Sequence, residues 1–223
     1  MKNLQAFLDA QLELMQQVDA WFVATARELP ADAIACRAGC SACCRGLFDI
    51  SLIEALILRR AWEGLPADIR RRVRGKALMR LDELKQGWPH WQPPYLLNGM
   101  PDEEWTEMPE DDLTPCLLLA EDGRCLVYEV RPMTCRLHGL PAIDLDGTDF
   151  GSAVCSRNWL SENFDLRYPY RALFRRENAL LRQFALQLTG RPFRELDTFI
   201  PLAVLIDFEA IDWRGPLLAD PRG

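Results

Sequence analysis

Apolar residues recur at three- and four-residue steps through Leu4, Leu8, Leu12, Met15, Val18 and Phe22, which predicts an amphipathic helix over residues 3–28, stopped by Pro30. A second helix is predicted in "SLIEALILRRAW", with Ser51 as N-cap and Glu54 three residues on as its capping-box partner. Gly64 and Pro66 break it, and a third helix is expected over residues 67–86, with Ile69, Val73, Leu78, Leu81 and Leu84 as its buried face. From Gly87 to Pro115 the periodicity stops, and this proline- and tryptophan-containing stretch reads as a long loop or lid. "CLLLAEDGRCLVYEV", residues 116–130, places two short extended pieces around Asp122-Gly123, a hairpin signal. The clearest later helix runs over residues 168–190, with Pro169 at its start and Gly190 as its C-terminal cap.

No repeat or low-complexity linker interrupts the chain. The expected architecture is mainly α: a single helical domain over 1–223 with irregular cysteine-rich loops and one short β-hairpin. It divides into an N-terminal helix (1–30), a cysteine-bearing core (36–155) and a C-terminal helical extension (160–223), whose apolar tail is expected to pack back on the core. The net charge of −7 argues against a nucleic-acid or anionic-membrane surface. "PDEEWTEMPEDD" (101–112) holds seven carboxylates, as many as the whole net charge. The N-terminus lacks the apolar run of a signal peptide, and no stretch is long and apolar enough to span a bilayer. The expected location is therefore the cytoplasm, where thiols stay reduced.

That expectation changes the meaning of the cysteines. "CRAGCSACCRG" puts Cys36, Cys40, Cys43 and Cys44 into nine positions among arginine, glycine and serine rather than apolar neighbours. A buried apolar patch, a disulfide knot, a nucleophilic thiol and a ligand set are the alternatives. Polar surroundings argue against the patch and a reducing compartment against the knot, leaving soft-metal ligation ahead. The other four, Cys116, Cys125, Cys135 and Cys155, also lie at turns, where an irregular backbone lets several sulfurs converge. Side chains of the adjacent pair Cys43 and Cys44 diverge, so they serve different sites, or one ligates while the other packs. Eight thiols suffice for two four-ligand sites, with their division left open. His138, three residues after Cys135, is a substitute ligand candidate. Cys36-x3-Cys40-x2-Cys43 matches the cluster spacing of radical S-adenosylmethionine enzymes, but repeated strand–helix units are missing from the pattern. The chain has neither a P-loop nor a dinucleotide fingerprint.

Taken together, "CRAGCSACCRG…DISLIEALIL", "PCLLLAEDGRCLVYEVRPMTCRLHG" and the late Cys155 resemble the YkgJ-like cysteine-cluster family, which is described as zinc- or iron-chelating and is related to flagellin lysine N-methylase. The family's second block falls on Cys116, Cys125, Tyr128, Arg131, Pro132, Cys135 and Arg136, and the resemblance covers roughly residues 36–155. It implies that Cys36, Cys40, Cys43, Cys44, Cys116, Cys125, Cys135 and Cys155 are metal ligands, holding an iron–sulfur cluster ([4Fe–4S] slightly favoured) or zinc. Arg131 and Arg136 are then placed to bind the cofactor by offsetting thiolate charge, with Pro132 fixing the turn before Cys135. The expected function is metal binding with no assigned reaction. One alternative is a lysine methyltransferase-like enzyme, although the sequence shows no convincing S-adenosylmethionine loop; the other is a metal-stapled interaction module with a protein partner. The arginine-rich stretch 70–80 reads as a solvated face, or as a partner for the acidic loop. Trp88, Trp91 and Trp105 read as pocket lining or as anchors of that loop.

Overall fold

A computed structural model describes residues 4–37, 39–89, 91–99, 112–151, 154–161 and 164–215. The chain is mainly helical. Helix α1 spans Gln5–Glu28, α2 Leu52–Glu63 and α3 Ala67–Gly87, followed by a five-residue α4 (Met133–Leu137), the long α5 (Tyr170–Thr189) and a single turn, α6 (Ile200–Ala203). The Ser51–Glu54 capping box forms as the sequence predicts, and Gly190 ends α5 in the left-handed conformation.

Helix α2 sits at the centre, because seven of its apolar side chains are buried and a helix apolar nearly all round must be covered on every side. Leu52, Ile53, Leu56 and Leu58 share one cluster with Leu4 at the N-cap of α1, Leu8 of α1, Val73 and Ala77 of α3, and Phe184 and Ala185 of α5. The tail does pack back on this core, through Phe193, Leu196, Val204, Ile206, Phe208 and Trp213. A second cluster joins Leu14, Met15 and Val18 of α1 to Met133, Tyr168, Tyr170 and Leu173.

The sheet found among the described residues differs from the expected hairpin. Strand β1 (Asp49–Ser51) pairs antiparallel with β2 (Asp197–Phe199), Ile50 opposite Thr198. Hydrogen bonds from Ile200 N to Phe48 O (3.0 Å) and from Leu52 N to Leu196 O (2.7 Å) continue the ladder. Residues 116–130 do turn back at Gly123, but pair only through an isolated Leu119–Cys125 bridge before a 3₁₀ turn at Tyr128–Val130.

Trp88 and Trp91 are anchors. Trp91 is buried edge-on against Phe199 and Tyr95, and its indole donates to Leu96 O at 3.1 Å. Trp105 and most of the acidic loop, residues 100–111, lie outside the described residues. Asp112 at the loop's end is paired with Arg80, so one arginine of the basic helix does meet the acidic segment. Arg72 meets Glu121 at 3.6 Å, an exposed pair of small energetic weight. Among the described residues, no helix is long and apolar enough to cross a membrane.

Candidate metal centre

The first cysteine block runs as two tight turns, closed by Cys40 N to Arg37 O (2.9 Å) and Cys44 N to Ser41 O (3.1 Å). It then lies alongside the start of the second block. Arg45 bridges Pro115, and Cys116 N donates to Cys44 O at 2.9 Å, so Cys44 and Cys116 are bound together through their backbones. The turn at Gly123 carries the chain back and sets Cys125 across from Leu119. Cys135 rides on α4, after Pro132 at its N-cap.

Helix α4 is held from two sides. Glu54 Oε1 accepts the Met133 amide at 2.8 Å, while its Oε2 takes the Ser51 amide at 3.2 Å and the Ser51 hydroxyl at 3.0 Å. On the other side Asp19 of α1 pairs with Arg131 at 2.8 Å and with Arg136. Arg136 also donates to Arg131 O at 2.9 Å and Glu129 O at 2.7 Å. The two arginines of the second block therefore differ. Arg136, its side chain 1% exposed, spends its donors on Asp19 and on carbonyls. Arg131 stacks on the Tyr128 ring at 4.0 Å, and its charge reaches Cys36 and Cys125, whose pKa values it lowers against the larger effect of burial.

The fourth wall comes from the late segment. Cys155 N donates to Gly139 O at 3.0 Å, and Asn158 Nδ2 to the same oxygen at 2.8 Å. Asn158 Oδ1 accepts Ala35 N at 2.9 Å, and Trp159 N donates to Ala33 O at 2.9 Å. The entry to the first block is thus tied to Cys155. Asn158 stands three residues after Cys155 and was invisible as a sequence signal, as was Asp19.

These contacts enclose a cavity of about 720 Å³ whose walls carry Cys36, Cys40, Cys43, Cys44, Cys116, Cys125 and Cys135. Cys155 stands behind Gly139, close enough for its charge to raise Cys36. Seven of the eight predicted ligands thus share one cavity while Cys155 stands beside it, and all eight are free thiols. Arg131, Arg136 and His138 also line the cavity. His138 lies edge-on to Phe48 at 5.0 Å, and burial lowers its pKa, favouring the neutral ring. Among the described residues no three Cys, His, Asp or Glu side chains stand as a finished ligand set.

The thiols sense one another strongly. Burial pushes Cys116 up to about 11 and raises Cys135 as well, with the neighbouring Cys116 and Cys125 adding to the latter. A hydrogen bond between Cys43 and Cys44 brings Cys43 down to about 6 and raises Cys44. A wall of soft donors, with one neutral imidazole beside it, suits zinc or iron and is a poor host for magnesium or calcium. Bound cations reverse the burial effect and deprotonate coordinating thiols outright.

A family model described as "Putative zinc- or iron-chelating domain" matches residues 35–148, just over half of the chain. The matched region holds seven of the eight cysteines and stops short of Cys155. No curated protein and no solved structure matches the chain.

Proposed function

Since this chain belongs to the CxxCxxCC family of zinc- or iron-chelating domains, we propose that it is a cytosolic metal-binding protein whose cysteine thiolates hold an iron–sulfur cluster or zinc. The observation that carries the reading is the convergence of seven cysteines, drawn from two blocks more than sixty positions apart, on one cavity wall. Bound there, zinc would supply a structural crosslink, and an iron–sulfur cluster an electron-transfer site. The chain's own part is to fix the ligand-bearing turns. Glu54 and Asp19 hold the Cys135 helix, the Cys44–Cys116 backbone bond joins the two blocks, and Asn158 ties in Cys155. Arg131 supplies positive charge beside the thiolates.

Anaerobic purification followed by metal analysis and an absorption spectrum tests the reading. Iron with acid-labile sulfide and broad absorbance near ~400 nm assigns a cluster. Colourless protein with stoichiometric zinc assigns zinc. Protein that carries neither metal and takes up neither on reconstitution sinks the proposal.

A further inference from the structure

The eight cysteines are not equivalent in depth or in wiring. Cys116, Cys125 and Cys135 pack half-buried against the main hydrophobic core, and the remaining cysteines do not belong to that packing. Cys44 is bonded through its carbonyl to Cys116 N, which brings it to the same side. Cys36, by contrast, is exposed, and it is tied to the Cys155 segment through Ala35 and Asn158. The electrostatic neighbours divide the same way. Cys36 is influenced by Cys43, Cys40 and Cys155, whereas Cys44 feels Cys116 and Cys135, and Cys135 feels Cys116 and Cys125. Cys43 and Cys44 join the two groups: their thiols hydrogen-bond to each other, and Cys43 influences both Cys36 and Cys135.

Resting on the metal-binding reading above, we propose two adjacent four-thiolate sites: an inner one of Cys44, Cys116, Cys125 and Cys135 against the core, and an outer one of Cys36, Cys40, Cys43 and Cys155 at the rim. Cys43 and Cys44, whose thiols hydrogen-bond to each other, stand where the two sites meet: the backbone bond to Cys116 places Cys44 in the inner one, and the influence of Cys43 on Cys36 places Cys43 in the outer one. The two sites differ in function. The inner one is closed by the core, Glu54 and α4, and retains its metal as a permanent part of the fold. The outer one is built from two surface turns and one late segment, opens to solvent at Cys36, and exchanges a soft divalent cation. With four thiolates each, a divalent ion leaves both sites with the same residual negative charge, so depth rather than charge separates their lability.

The test titrates the full chain, stripped of metal and kept reduced, with Zn²⁺ against a competing chelating dye. The expected result is about two equivalents per chain, one held tightly and one in rapid exchange. Cys40→Ser and Cys155→Ser each lose the exchanging equivalent and keep the tight one; Cys125→Ser loses the tight one. Cys43→Ser follows the outer pattern and Cys44→Ser the inner one. Circular dichroism establishes that each variant retains its helices, and if one outer variant does not fold, the other, from the opposite side of the site, gives the same readout. A single equivalent in the parent chain, unchanged by Cys40→Ser and Cys155→Ser, overturns the division while leaving metal binding intact. Loss of both equivalents from a folded outer variant overturns it too. Failure of the parent chain to take up any metal is instead the failure of the underlying reading.

Discussion

Glu54 and Met133, seventy-nine positions apart, are joined by a 2.8 Å hydrogen bond from the Met133 amide to Glu54 Oε1. One carboxylate thereby caps the central helix α2 and the short α4 that carries Cys135. Burial raises its pKa, against the pull of the bonds from Met133 and Ser51. Glu54→Ala leaves the Met133 and Ser51 amides without their acceptor and should destabilise the chain by roughly 1–3 kcal/mol. Glu54→Gln keeps an oxygen for Met133 and should lose less. Urea unfolding midpoints rank the two variants. Equal losses would mean that Glu54 acts through volume alone.

Asp19 is the second holder of the α4 region, through Arg131 and Arg136. Removing it as Asp19→Ala strands the guanidinium of Arg136, whose side chain is 1% exposed, without its counter-ion. Because Asp19 itself is about one-third exposed, the expected destabilisation is nearer 2 kcal/mol than the roughly 3–5 of a fully buried pair. Thermal unfolding of Asp19→Ala beside Asp19→Asn measures it. An unchanged melting temperature would refute the role.

The capping box and the α5 stop at Gly190 were legible because each is a local pattern of a few neighbouring residues. The second contact of Glu54 was not, since nothing near position 54 announces Met133. The β1–β2 ladder escaped for a similar reason: its strands are three residues long, too short to alternate, and nearly one hundred and fifty positions apart. Helix α4, at five residues, is below the length at which a helical period can be read. The cysteine constellation was visible as spacing. Its wiring through Asp19 and Asn158 was not, because a lone carboxylate or amide is an ordinary surface residue until the fold places it.

Metal removal should affect the chain unevenly. A structural four-cysteine zinc site contributes on the order of 10 kcal/mol to the structure around it. Helices α1, α2 and α5 are joined by buried aliphatic and aromatic side chains, against which Cys116, Cys125 and Cys135 pack only from outside. Chelator is therefore expected to loosen residues 36–46 and 116–139 while most of the helical circular dichroism persists. Hydrogen exchange with and without chelator resolves the two regions. Uniform protection loss across α1 and α5 would show that the helical core depends on the metal.

Asp197 and Glu177 are each pushed up to about 7, in both cases chiefly by burial. Asp197 also faces Asp49 of β1, Glu195 and Glu54 of α2; Glu177 faces Glu54 and hydrogen-bonds Gln11 of α1. Both folded values lie above the roughly 4 of an unfolded carboxyl, so the folded chain binds these protons more tightly. Stability should then be full below about pH 4 as far as these groups are concerned, fall as pH rises toward about 7, and level off above it. Asp197→Asn removes one of the two ionisations and should gain about 1–3 kcal/mol at pH 8 but little at pH 4. Denaturant melts of the metal-stripped chain at the two pH values check this. A gain of equal size at both would assign the effect to packing.

Gly139 has φ +84°, and a Cβ added there would come within 3.0 Å of the Cys155 Cβ. Gly147 has nearly the same φ, +86°, but a Cβ there meets nothing within 4 Å. The pair separates backbone strain from displacement of Cys155. Left-handed backbone costs an L-residue about 1–2 kcal/mol, so both Gly139→Ala and Gly147→Ala should lose that much stability. Only Gly139→Ala should push the Cys155 segment away from Ala35 and Cys36, and so weaken Zn²⁺ binding at the rim. A drop in Zn²⁺ affinity of about tenfold, near 1.4 kcal/mol, is expected for Gly139→Ala and none for Gly147→Ala. Equal affinities in the two variants would separate Cys155 from the metal-binding thiols.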